Sequence, residues 1–273
     1  MDPWRRRPDS IDAGARRRLN VRLTYIGGPT ALLEIAGLRL LTDPTFDPGG
    51  TDYPTPVYVL HKTQAPALTA ETVGVPDVVL LSHDHHFDNL DHAGRRMLER
   101  ARTIVTTEAG ATRLSGHAVG LMPWHTHEIP ARDGRTLRIT ATPARHGPAD
   151  GDRGPVIGFV LSLSDQADPL VYVSGDTVWY DGVAEVARRF SPRVVVAFAG
   201  AARVREVGPA HLTFTAAEVV EVARAFPQAL IIPVHVDGWT HFSESRADVE
   251  RAFASAGILD RLRLPEGGVP LEL

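Results

Sequence analysis

The chain has 273 residues, 43% of them hydrophobic, with 33 acidic against 29 basic side chains and a formal net charge of −4. That is enough chain for a substantial core, and the acidic balance argues against a nucleic-acid partner, which selects a basic stripe. Cysteine is absent while histidine occurs twelve times; disulfide scaffolds, iron–sulfur clusters and thiol nucleophiles are thereby excluded, and any metal site must use nitrogen and oxygen donors. Apolar runs such as 194–202 fall short of the about 20 residues a membrane helix needs. The N-terminus is basic but no apolar stretch follows it, so no secretion signal is expected and the expected setting is cytoplasmic.

Residues 1–20, with two Arg triplets, read as an irregular arm, and 21–273 as a single domain. Residues 21–42 alternate apolar and polar positions with breaks at Gly27-Gly28-Pro29 and Gly37, which predicts a meander of short strands. Segment 44–76 is rich in Pro, Gly and Thr and reads as a long loop or lid. Four β runs follow, each ending in a polar cluster: 77–81 in Ser82-His-Asp-His-His-Phe-Asp88-Asn89, 137–142 in Pro143-Ala-Arg-His146, 170–173 in Ser174-Gly-Asp176, and 229–234 in His235. Between them helical patterns fall at 92–101, 183–190, 215–225, where Thr215 and Glu218 form a capping box, and 245–256, stopped by Gly257. Strands first, then alternating strands and helices, predict a layered α/β domain.

The organising observation is positional. His83, His85, His86, Asp88, His146, Asp176 and His235 all lie at the carboxyl ends of predicted strands, where the loops of an α/β sheet gather and ligands bind. Three His and three Asp between His83 and Asp91 would carry a heavy desolvation cost if buried without a cation. Imidazole and carboxylate without sulfur suit Zn²⁺ or Mn²⁺. Asp43 either orients a ligand imidazole or opens a turn. His125 and His127 share a strand face with nothing to place them near the site, and Asp181 and Glu185 read as an exposed helix face.

This ordered set resembles the metallo-β-lactamase-fold hydrolases, more closely the branch that contains ascorbate-6-phosphate lactonase and N-acylphosphatidylethanolamine phospholipase D. The early Tyr25-Ile-Gly-Gly-Pro-Thr and Leu41-Thr-Asp-Pro are similar to that branch's opening strands. The resemblance implies a four-layer αββα sandwich with one or two ions at its edge. It implies a hydrolase in which a metal-bound water, its pKa lowered from about 15.7 toward about 7, attacks an ester, lactone or phosphodiester. Asp88 would ligate or orient that water, and Asp176 would bridge the ions or bind the tighter one. No Gly-x-Ser-x-Gly nucleophile element is present.

The sequence departs from the family's His-x-His-x-Asp-His. Counted back from Asp88, Asp84 stands where the first His belongs and Asn89 where the last does, leaving His83, His85 and His86 to share the imidazole positions and the second ion loosely held. Gly28 replaces a His common in the branch. The substrate is expected to be a small molecule, with 44–76, Arg203, Arg205 and His211 shaping an anionic pocket; His241 and Trp239 read as more structural than catalytic. The alternatives are a (β/α)₈ barrel, which the opening meander contradicts, and a non-catalytic metal-binding relative with a degraded site. Oligomeric state is not encoded legibly.

Overall fold

Alternation along each strand decides how the layers stack, and a computed structural model, which describes residues 21–151 and 153–273, shows two sheets face to face. The predicted arm at 1–20 lies outside the described residues. The first sheet has seven strands in the order Pro270–Glu272, Val21–Gly27, Thr30–Ile35, Leu38–Thr42, Val78–Leu80, Thr103–Thr107, Ala118–Leu121. The second has six, in the order Leu230–Val234, Val194–Phe198, Val171–Val173, Ile157–Leu163, Thr136–Pro143, Thr126–Pro130. Each sheet is antiparallel in one part and parallel in the other; the parallel pairs include Leu38–Thr42 with Val78–Leu80, and Val171–Val173 with Val194–Phe198.

Period-two alternation sends one set of side chains inward and the other out to helices. In Val194–Phe198, Val194, Val196 and Phe198 face the inter-sheet core with Leu23, Leu33, Leu80 and Phe159. Val195 and Ala197 of the same strand point outward, to Val183, Val186, Val219, Val222 and Phe253 of the helices Asp181–Arg189, Ala216–Ala225 and Arg246–Ser255. On the opposite side Leu41, Val79 and Ile104 meet Met97 and Leu98 of the helix His92–Leu98. The result is the four-layer αββα sandwich, and it excludes the barrel. The Thr215–Glu218 capping box forms as the sequence predicts.

Segment 44–76 is more structured than a loop. It holds the hairpin Asp52–Pro54 with Val59–His61 and the short helix Ala70–Val73. The strands Thr103–Thr107 and Ala118–Leu121 and the helix Glu108–Leu114 were not foreseen; the first is Thr-rich and the other two are mostly half-exposed, so none carries a strong apolar period. Among the described residues no helix is long and apolar enough to cross a membrane.

The chain's single lysine pins this segment. Lys62 Nζ lies 2.9 Å from Asp91 Oδ2, with the side chains only 4% and 0% exposed. Asp91 also accepts from the amides of Asp47 (2.7 Å) and Gly94 (2.8 Å), capping the helix that follows the histidine loop. A Cβ at Gly94 would stand 1.9 Å from the Pro44 carbonyl oxygen, so only glycine admits this close approach. Replacing Lys62 by Met keeps the stem but leaves Asp91 buried without its cation, and should destabilise the protein by about 3–5 kcal/mol. Urea unfolding with an unchanged m-value would report it; a loss below about 1 kcal/mol would mean that the backbone donors alone satisfy Asp91.

Candidate metal centre

The carboxyl ends of four strands deliver the predicted donors to one place. Val78–Leu80 runs into Ser82, whose amide donates to buried Asp43 Oδ1 at 2.7 Å and so fixes the root of the histidine loop. His146 follows Thr136–Pro143, Asp176 follows Val171–Val173, and His235 follows Leu230–Val234. His235 has φ +57°, the left-handed region that non-glycine residues avoid; its amide donates to the Gly28 carbonyl at 2.7 Å, which holds it there. Strain of this kind persists only where its surroundings enforce it.

Two donor sets result, the atoms of each lying within 4.8 Å of one another: His83, His86 and His146 in one, Asp88, Asp176 and His235 in the other. His86 Nδ1 is 3.0 Å from His83 Nε2 and 3.2 Å from His146 Nε2. Asp176 lies between the sets, its Oδ2 3.6 Å from His146 Nε2 and its Oδ1 2.9 Å from His235 Nδ1. His235 Nε2 stands 3.5 Å from Asp88 Oδ2. His146 Nδ1 can only donate to the Leu212 carbonyl, 2.8 Å away, which leaves the lone pair on Nε2 facing the cluster.

These contacts are not an ordinary hydrogen-bond network. Both carboxylate oxygens of Asp176 and both ring nitrogens of His235 are buried, yet none has a hydrogen-bond partner of acceptable geometry despite the short separations. Buried polar atoms are seldom left this way, and lone pairs that converge without sharing protons are what a cation requires. The electrostatics agree. Burial and the facing His146 ring push His86 down to about 3, and burial with His86 lowers His83 well below its ordinary value, so these rings are neutral and their lone pairs free. Burial works against ionisation of Asp88, but the His235 and His241 rings beside it outweigh it and hold the carboxyl well below its ordinary range. His235 shows the reverse balance: burial would lower it, but Asp176 and Asp88 raise it to about 10. Its proton stands where a cation's charge would otherwise be. The donor set therefore fits a divalent ion.

Other residues fall differently from their expected places. His85 points away, its Nε2 donating to the Arg153 carbonyl at 2.8 Å and its Nδ1 4.0 Å from Asp84, so it joins neither donor set. Asp84 is taken up by Arg113 in a forked ion pair. Asn89 is fully buried, with both amide atoms unpartnered. Gly28 has φ +53°, and a Cβ there would meet Trp239 Nε1 at 3.1 Å; the indole fills the space a larger residue would need. Asp43 contacts a backbone amide, not an imidazole. Arg203 and Arg205 are exposed and His211 pairs with Glu218 at 3.0 Å, so none of the three borders the cleft over the donors. Asp181 is exposed and Glu185 pairs with Arg188 and Arg189 on the helix surface; His125 and His127 also stand apart.

The cleft is bordered instead by Tyr58, Arg153 and His241, with Leu60, Val204 and Val207 as an apolar wall. Arg153 Nη2 donates to the Val207 carbonyl while its buried Nε has no partner. Tyr58 and Arg153 were not foreseen. Both reach the site from irregular or lid segments, and only the presence of aromatic and basic residues there hinted at it.

The family model described as a β-lactamase superfamily domain matches residues 38–236. The chain belongs to the metallo-β-lactamase superfamily. A UPF0173 metal-dependent hydrolase of Opitutus terrae is 30% identical over 226 residues, covering 79% of this chain and 84% of that protein. The mitochondrial N-acyl-phosphatidylethanolamine-hydrolyzing phospholipase D of Saccharomyces cerevisiae is 22% identical over 286 residues, covering 96% of this chain and 58% of its own length. The crystal structure of an isothiocyanate hydrolase from Delia radicum gut bacteria superposes with a TM-score of 0.78 at 24% identity, covering 92% of this chain and 99% of that one. This superfamily member is accordingly a metal-dependent hydrolase.

Proposed function

We propose that the centre holds two divalent ions, Zn²⁺ or Mn²⁺, and cleaves an ester, lactone or phosphodiester bond of a small substrate. The observation that carries this reading is the position of Asp176, which offers one buried, unbonded oxygen to each donor set. Ions bound there supply a nucleophilic hydroxide at neutral pH and polarise the scissile carbonyl or phosphoryl oxygen. His83, His86 and His146 hold the first position; Asp88 and His235 hold the second; Asp176 joins the two. Asp88 faces the cleft beside His86 and His146 and is ionised, so it would help hold the second ion and orient the attacking water.

The rim selects the substrate. Burial and the charge of Asp88 raise Tyr58, which keeps its phenolic proton and serves as a donor. The free Nε of Arg153 offers a second, cationic donor, suited to an anionic or strongly polar group on the substrate. Leu60, Val204 and Val207 favour a slender apolar substituent. A degraded, non-catalytic site is the poorer reading, because the six donors of the two sets stand together.

The test is a panel assay on metal-free and reconstituted protein, with a nitrophenyl ester, a lactone, a bis-nitrophenyl phosphodiester and, because the structural neighbour is named for that activity, an isothiocyanate. Turnover of at least one of the first three, only after Zn²⁺ or Mn²⁺ is restored, is the expected result. Equal activity without metal, hydrolysis of the isothiocyanate alone, or none by the loaded protein, would contradict it.

A further inference from the structure

The two donor sets are unequal. His83, His86 and His146 contribute three imidazoles of their own, with Asp176 Oδ2 nearby as a fourth donor. On the other side only Asp88 and His235 stand with the remaining Asp176 oxygen, which is one donor fewer.

His241 belongs to neither set but stands beside the second, against Asp88. Its Nε2 lies 3.0 Å from Asp88 Oδ2, the side chain is 8% exposed, and its buried Nδ1 has no partner. The ring is held against Phe242 and the edge of Trp239, at centroid distances of 4.7 and 6.1 Å. Two ligand atoms each about 2.1 Å from one Zn²⁺ at about 90–110° stand about 3.0–3.4 Å apart. The His241–Asp88 separation has that spacing, as does the 3.0 Å between His83 and His86.

We infer that His241 is the fourth donor to the ion held by Asp88, Asp176 and His235. This rests on the two-ion reading above and extends it. Each ion then has four protein donors, with Asp176 shared between them. The competitor is Asn89, next to Asp88 and fully buried with both amide atoms unpartnered, but a neutral amide oxygen donates less electron density than an imidazole. With His241 in place the second ion is bound firmly, against the loose occupancy that Asn89 alone implies. His235 and His241 then hold one ion from the two ends of the segment 235–241.

The test measures zinc stoichiometry and stepwise affinity by competition with a chelator for wild type, His241→Ala, His241→Glu and Asn89→Ala. The wild type is expected to bind two equivalents. His241→Ala should keep the first and weaken the second by more than the about 10–100-fold that loss of an outer hydrogen-bond partner costs. His241→Glu should recover most of that loss, because a carboxylate ligates zinc but cannot donate to Asp88, and a mere positioning role would not be rescued by it. In wild-type protein carrying ¹⁵N-histidine, the Nε2 resonance of His241 should move only on addition of the second equivalent. Retention of the first equivalent shows that each variant is folded. A second equivalent unchanged in His241→Ala, no rescue by glutamate, or a larger loss in Asn89→Ala overturns the inference while leaving the two-ion reading intact. A wild type that binds fewer than two equivalents overturns both.

Discussion

Replacing Asp176 by Ala should abolish turnover, by at least about 1,000-fold in kcat/KM, and should leave fewer than two ions bound. The scale follows from position. Loss of a residue that only orients a ligand costs about 10–100-fold, whereas Asp176 presents one oxygen toward His146 and the other toward His235 and is fully buried between the two sets. Its burial also means that no water can take over its charge at low cost. Metal analysis and kinetics on the same preparation check the prediction; a variant that keeps two equivalents and near-normal turnover would show that the sets are not joined through this residue. Asp176→Asn should fail similarly, since the amide keeps the shape but removes the charge.

Stripping the metal should lower the melting temperature by about 8–16 °C for each tightly held ion. An ion at about 1,000 times its Kd contributes about 4.1 kcal/mol to the folded state, and in a chain of this size each kcal/mol shifts the midpoint by about 2–4 °C. The reason lies in the donors. Buried Asp88 and Asp43 each repel Asp176, and burial together with the charge of Asp176 raises Asp43 well above its ordinary value. The His235 proton offsets part of that repulsion in the metal-free state. Scanning calorimetry with and without a chelator, followed by zinc addition, reads the effect. An unchanged midpoint in protein shown to be metal-free would mean that the cluster tolerates its own charge.

Much of this architecture was legible in the chain because burial on both faces leaves a plain mark. The continuous apolar run at 77–81, the run at 229–234 and the alternation at 21–26 became the strands Val78–Leu80, Leu230–Val234 and Val21–Gly27. Thr136–Pro143, Val171–Val173 and Leu230–Val234 run in the same direction, so the polar residue after each had to emerge at one sheet edge, which is why His146, Asp176 and His235 were legible as candidates. Within the histidine loop the pattern gives out. His83, His85 and His86 differ by where a loop without periodicity turns, and His85 is drawn off by a carbonyl 68 positions away. His241, Tyr58 and Arg153 enter through tertiary contacts of segments with no regular repeat. Lys62 carried no signal beyond being the only lysine, and its meaning came only with the burial of Asp91.

Anomalous diffraction from crystals grown with zinc tests the central claim most directly. Two peaks are expected about 3.5–4 Å apart, one against His83, His86 and His146 and the other against Asp88 and His235, with Asp176 touching both. No anomalous density among these residues, or a single ion held elsewhere, would contradict the account.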